Sequence, residues 1–359
     1  MQNTNKRAAT CACVVLLSLL GFVLAGCGEA EDLPRKTIYI SAPTGSDLAQ
    51  RREDFIDAAK LALDQTGYDT PDVAIELKVL NGEDPASEVQ RAIADRDALS
   101  IVEGFQDERT KRAIRFDPPI LQVLASPLVG AEDQVDDGGT SIHVMPSAES
   151  SGRALAQAMA SEIDDREVRL TSSPSAFSRA ATRGFRSEMS RIGVRVVGYR
   201  ASRGGGVPPG VFALSGSDAG IVYIADDPSL ADPSIRGVLV TPAMAPANYP
   251  PNGEKFFDLF EDAYGRSPDR FAIFGYEAMG LALNAITEAG ESGKPVTRES
   301  TLAAAFAIRN RFGPVGHYDV LPSGETTLYT LAARRWTPVS WISNGPSPPE
   351  RSRVIEVGR

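Results

Sequence analysis

From residue 36 onward, apolar positions follow two alternating periods. Short β-rich runs lead through a turn into stretches whose apolar residues recur three or four apart, the mark of strand-then-helix units. The pattern predicts strands over 37–42, 73–80, 99–102 and 120–124, and helices over 48–63, 86–94 and around 109–115. Gly67 stands where the first helix should stop. A second series follows the loop 132–140, which carries Asp136-Asp137-Gly138-Gly139. It gives helices over 152–163 and 176–189 and strands over 167–170, 194–199, 221–224 and 237–240. The Gly/Pro-rich stretch 202–210 and the Pro-rich stretch 242–253 read as connectors. Helices are expected over 256–264, 271–289 and 300–308, the clearest being 271–289. There Phe274, Ala278, Leu281 and Ala285 share one face, and Gly290 ends the run. Alternation over 316–321 and 327–332 around Pro322-Ser323-Gly324 predicts an antiparallel ending. Strands alternating with helices form a parallel sheet covered on both faces, so the expected fold class is α/β with doubly wound sheets.

Composition narrows the function classes. The 359 residues are 42% hydrophobic and 23% charged, which excludes a disordered chain and a polytopic membrane protein. At roughly 150 residues per domain the length suggests two. A formal net charge of -10 argues against nucleic acid as a partner, because neutralising phosphates needs a Lys/Arg excess.

The first residues read as an address. Lys6 and Arg7 precede an apolar run over 14–24. That run is well short of the about 20 residues a membrane-spanning helix needs, so it reads as a secretory signal. It closes on Leu24-Ala25-Gly26-Cys27, which resembles a bacterial lipoprotein box. The resemblance implies cleavage before Cys27 and lipid on its sulfur, with more than one acyl chain giving stable anchoring. The alternative is a plain signal with an incidental cysteine. Cys11 and Cys13 leave with the signal, so Cys27 remains alone and no internal disulfide is possible. The small, acidic run Gly28-Glu29-Ala30-Glu31-Asp32 reads as a tether.

Several segments in order resemble the type I periplasmic binding proteins, in their leucine/branched-chain amino acid class. They are Asp54-Phe55-Ile56-Asp57-Ala58-Ala59-Lys60, Asn81-Gly82-Glu83-Asp84-Pro85, Met145-Pro146-Ser147 before Gly152-Arg153-Ala154-Leu155, and Phe274-Gly275-Tyr276-Glu277-Ala278-Met279. Phe312-Gly313-Pro314-Val315-Gly316 and Leu321-Pro322-Ser323-Gly324 complete the set, which spans residues 36–336. The resemblance implies two doubly wound parallel-sheet lobes joined by three hinge crossings, with a small solute held between them for an ABC importer. The division expected is a signal over 1–26, a lipidated tether over 27–35, lobe 1 over 36–140 plus 247–325, lobe 2 over 141–246 plus 326–345, and a tail over 346–359. The partners implied are a small-molecule solute, an ABC transporter permease and, through the lipid, the outer face of the cell membrane.

The same resemblance nominates the ligand contacts. Thr44, Gly45 and Ser46 follow the first strand and offer hydroxyls and flexible backbone. Phe105 and Gln106 follow the third, and Ala125 and Ser126 the fourth. Phe177 and Tyr276 would cover apolar ligand surface, and Asp226 would pair with a cation. Tyr276 has plain core as its alternative, and Asp226-Asp227-Pro228 a solvated turn. The pattern also departs from the class. Asp107 and Glu108 stand where small neutral donors are usual, and each close pair with a ligand carboxylate would cost about 4 kcal/mol at an effective dielectric of 20. Asp107 otherwise caps the following helix. Leu128 replaces a hydroxyl residue. Only 228–236 separates the strands 221–224 and 237–240, so lobe 2 is shortened.

An enzyme is not expected, nor a cofactor or metal. Ser217 lies in Ser215-Gly216-Ser217, which lacks the first glycine of a nucleophile elbow. His143 and His317 are the only histidines and lie far apart. No Gly-rich phosphate loop, cysteine pair or His-Glu-x-x-His run occurs. The competing reading is a lipid-anchored sensor, or a degenerate binding lobe, without a transport role.

Overall fold

The computed structural model describes residues 33–42, 49–67, 70, 72–80, 85–104, 119–127, 139–160, 167–170, 176–198, 211–214, 221–224, 237–241, 246–291, 293, 295–328 and 332–336. The expected helix at 109–115, the connector 202–210, the signal, Cys27, residues 28–32 of the tether and the tail lie outside them.

The first sheet is five parallel strands in the order β2-β1-β3-β4-β5. They are β1 (Arg35–Ser41), β2 (Ala74–Val79), β3 (Ala98–Glu103), β4 (Leu121–Pro127) and β5 (Ser141–Met145). A parallel sheet needs cover on both faces, and alternation along β1 supplies it. Ile38 and Ile40 join the large core, while Tyr39 joins a smaller cluster with Val89 and Ile93 of α2 (Pro85–Ala94). Between β1 and β3 the register shifts at Thr37/Ile38 and leaves Leu99 as an extra residue.

Helices α1 (Ala49–Thr66), α5 (Pro251–Tyr264), α6 (Ala272–Glu291) and α7 (Arg298–Ala307) cover the large-core face. α1 ends where Gly67 takes φ 91°, a left-handed turn that glycine adopts without strain. α6 is buried on nearly every side, as a helix wedged between a sheet and other helices must be. Phe55, Phe256, Phe260 and Phe274 are fully buried, each contributing about 1.5–3 kcal/mol on transfer from water.

Two arginines fix this layer. Arg266 bonds Asp54 and, at 2.8 Å, Asp57, while the Asp269 amide donates to Asp54 at 2.7 Å. The turn between α5 and α6 is thereby clamped onto α1. Arg298 donates to the carbonyls of Ala98 and Ile93, each at 2.8 Å, tying α7 to the start of β3.

The second sheet holds six described strands in the order β13-β10-β9-β8-β6-β7. They are β6 (Glu167–Leu170), β7 (Arg195–Gly198), β8 (Val211–Leu214), β9 (Ile221–Ile224), β10 (Gly237–Thr241) and β13 (Ala332–Trp336). β8 was not expected, and together with β13 it makes the sheet mixed. It runs antiparallel to β6 and β9, because residues 215–220 are too few for a helical crossover to a parallel neighbour. β9 and β10 pair directly and in parallel.

α3 (Ala148–Met159) and α4 (Ala176–Arg191) pack closely beside this sheet. A Cβ on Gly152 would stand 1.9 Å from the Ala181 carbonyl oxygen, and one on Gly184 would stand 2.0 Å from that of Glu149. Only glycine allows these backbones to touch.

β5, expected to open lobe 2 at 141, hydrogen-bonds to β4 as an edge strand of the first sheet. In the ending, β11 (Arg311–Gly313) pairs with β12 (Gly316–Tyr318), and Val320 bridges to Thr326 around the Leu321–Gly324 turn. The chain then crosses to the second sheet, where β13 pairs antiparallel with β10.

Candidate ligand site at the carboxyl edge of the first sheet

Because all strands of the first sheet run the same way, their carboxyl ends lie along one edge. In open α/β sheets ligands sit beyond that edge, where the connections diverge. In register, Ser41 stands beside Glu103 and Glu103 beside Leu124. The Gly104 amide donates to the Ser41 carbonyl at 2.8 Å, which closes the edge between β1 and β3. The loops that leave this edge carry Thr44, Gly45, Ser46, Phe105 and Gln106, all outside the described residues.

Ala125 and Ser126 are described, at 1% and 7% exposure near the end of β4. Proline at 127 has no N–H to give the ladder, and the register with β5 slips between Leu124 and Pro127. The slip frees the Ser126 carbonyl, which lies 3.1 Å from His143 Nδ1. A carbonyl only accepts, so Nδ1 carries the proton there. The His143 amide donates to the Gly324 carbonyl at 2.8 Å, joining β5 to the turn before the chain crosses. This histidine is structural. The Ser126 hydroxyl is buried and takes no hydrogen-bond partner among the described residues.

Glu103 was missed by the sequence reading. It is 2% exposed and ends β3 on the candidate edge. Its signal was an acid closing the apolar run Leu99-Ser100-Ile101-Val102. Ser147 accepts from the Ser150 amide at 3.1 Å and caps α3, so its acceptor is spent locally.

On the other side, Phe177 is the second residue of α4, following β6. Its side chain and all of Asp226 lie outside the described residues.

Tyr276 is a correction. Its hydroxyl bonds Gln65, and its ring meets Phe256 edge-on at 5.2 Å. Gln65 lies in the last turn of α1, about 24 Å along that helix from its first residue at a rise of 1.5 Å. Tyr276 therefore belongs to the opposite end of the first sheet's helical layer. Burial, with the nearby Glu277 charge next, raises its phenol above the ordinary range.

Among the described residues no helix is long and apolar enough to cross a membrane. Among them, no group of three His, Cys, Asp or Glu is placed to hold a metal.

Solved structures share this arrangement. A leucine-binding protein from Thermotoga maritima matches with a TM-score of 0.63 at 15% identity, over 84% of this chain and 95% of that one. A branched-chain amino acid transporter substrate-binding protein from Streptococcus pneumoniae, in complex with isoleucine, matches at 0.64 and 13% identity, over 89% and 99%. A solute-binding protein of an ABC transporter from Rhodopseudomonas palustris, in complex with 3,4-dihydroxybenzoic acid, matches at 0.62 and 15% identity, over 84% and 93%. The sequence matches no protein-family model and no curated protein. At these identities the likeness defines the fold: this chain has the fold of the type I periplasmic binding proteins.

Proposed function

We propose that this chain is an extracytoplasmic solute-binding protein, held to the cell membrane by lipid on Cys27, that captures a small molecule for an ABC importer. The observation that carries the reading is the buried Ser126 hydroxyl, without a partner among the described residues, at the carboxyl edge of a fully parallel sheet. A buried hydroxyl without a partner costs free energy that a bound ligand recovers. In this reading residues 1–26 are removed, 27–35 tether the chain, and the two sheets form the cores of two lobes. Thr44, Gly45, Ser46, Phe105, Gln106, Ala125 and Ser126 contact the solute from one lobe, and Phe177 and Asp226 from the other. Glu103 joins them. Two carboxylates, Glu103 and Asp226, favour a solute bearing an ammonium group, an amino acid or a similar amine.

One observation favours a second reading, a ligand sensor or degenerate lobe without transport. β8 enters the second sheet antiparallel, so the edge that faces the solute from that side is not built as the first one is.

The test is thermal unfolding of the processed chain against amino acids, amides, polyamines and organic acids. A compound at 100 times its Kd stabilises by about 2.7 kcal/mol, a shift of a few degrees at this size. A shift with one amine-bearing class that is lost in Asp226→Ala supports the proposal. No shift across the panel rejects the amino-acid assignment and favours the degenerate lobe.

A further inference from the structure

A cavity of about 470 Å³ opens on the helical layer of the first sheet, away from the carboxyl edge. The last turn of α1, the first turn of α5, the middle of α6 and the β11–β12 hairpin enclose it. Its volume falls within the range of small-molecule sites, which combine apolar walls with a few placed polar groups.

The walls are of that kind. Phe256 and Tyr276 present the edge-to-face pair described above, and Phe312 lies at the cavity, 62% exposed. Arg311 supplies the polar group. Its Nε donates to Glu277 at 2.5 Å and its Nη1 to Asn284 at 3.0 Å. Its Nη2 takes no partner among the described residues. A Cβ on Gly280 would stand 2.9 Å from that Nη2, so the glycine lets the guanidinium lie against α6. Lys255, exposed near the start of α5, lines the same cavity and enters no ion pair among the described residues. Glu277 balances one of the two cations from behind, with no exposure of its own. The lining is left net positive on a chain of net charge -10.

We propose that this cavity binds a small carboxylate carrying an aromatic or aliphatic body. The carboxylate is held between Arg311 Nη2 and Lys255, and the body rests on Phe256, Tyr276 and Phe312. A charge-assisted bond to a largely desolvated guanidinium is stronger than one in open water. The site is separate from the proposed cleft and does not depend on it.

The probe is benzoate, with cyclohexanecarboxylate as its aliphatic counterpart and benzylamine as the opposite charge. Titration of the full chain, followed through ¹⁵N-labelled glycine amides, is expected to move Gly280 and Gly313 along one saturable curve with either carboxylate and not with benzylamine. Lys255→Glu, a change on exposed helix surface, is expected to weaken benzoate at least about tenfold with the melting temperature unchanged. Arg311→Lys tests the fork separately. Four results overturn the proposal: no saturable movement at millimolar benzoate, equal movement with benzylamine, undiminished binding by Lys255→Glu, or movement confined to Gly104, which would place benzoate at the carboxyl edge of the first sheet instead.

Discussion

Glu277 on α6 and Arg311 on β11, 34 residues apart, meet at 2.5 Å with the carboxylate wholly shut off from solvent. Tyr318 donates to the same carboxylate oxygen. Burial first, then the Glu277 charge, pushes the Tyr318 phenol well above its ordinary range. Burial alone would lower the Arg311 guanidinium, but the Glu277 carboxylate outweighs it and holds the arginine charged. The β11–β12 hairpin is thus fixed to α6 by one ion pair, and Gly313 passes so close that its Cβ would stand 2.3 Å from Glu277 Oε2.

Removing one partner of such a pair leaves the other charge buried and uncompensated. Glu277→Gln is expected to lower unfolding free energy by about 3–5 kcal/mol in urea titrations. The double change Glu277→Gln with Arg311→Met should recover most of that loss. A single variant losing less than about 1 kcal/mol would contradict the burial described.

The α3–α4 contact makes a steric prediction. Gly152→Ala adds a methyl into backbone and should destabilise by about 1–3 kcal/mol, despite alanine's better helix propensity. Gly184→Ala should behave alike. Adding both should cost less than the sum of the two, since either methyl already separates the helices. Calorimetric midpoints of the three variants check this.

Glu188 makes a pH prediction. Hydrogen bonds from Arg191, and next from Gln157, lower its carboxyl from 4.5 to about 2. A carboxyl depressed on folding stabilises the native state above its unfolded value and loses that contribution as pH falls through the folded one. The stability gap between the parent and Glu188→Gln should therefore be full at pH 6 and shrink from about pH 4.5 toward about 2. Urea midpoints measured across that range would show it. A gap that does not change with pH would exclude the mechanism.

Ligand contacts can be separated from bystanders with whichever amine-bearing compound the panel identifies. Ser126→Ala is expected to weaken it by about 0.5–1.5 kcal/mol, a few-fold to tenfold in Kd. Glu103→Gln should act in the same direction. Tyr276→Phe, which alters only the distant bond to Gln65, should leave Kd unchanged by titration calorimetry.

Most of the first sheet was legible because its strands and helices are long enough to show their period. The helix expected over 271–289 is observed at Ala272–Glu291, and the strand expected over 37–42 at Arg35–Ser41. β8 was not legible. Val211-Phe212-Ala213-Leu214 is a four-residue apolar run beside a Gly/Pro-rich stretch, without alternation to mark it. Tyr276 was misplaced for another reason: periodicity identifies the buried face of a helix but not which end of the neighbouring sheet it reaches. Glu103 lay hidden because a buried acid closing a strand looks in sequence like the first polar residue of a loop. The Glu277–Arg311 pair depends on a hairpin folding back over 34 residues, which no local pattern encodes.

The first sheet's last strand ends at Met145, yet the helix that seals its large core starts only at Ala272, with most of the second sheet encoded between them. A chain made from its N-terminus must hold Ile38, Ile40 and Phe55 uncovered until that late helix arrives. Contacts of such long sequence separation form slowly. The part encoded first is therefore the last to become solid, because its core closes only once the chain past residue 272 has been synthesised.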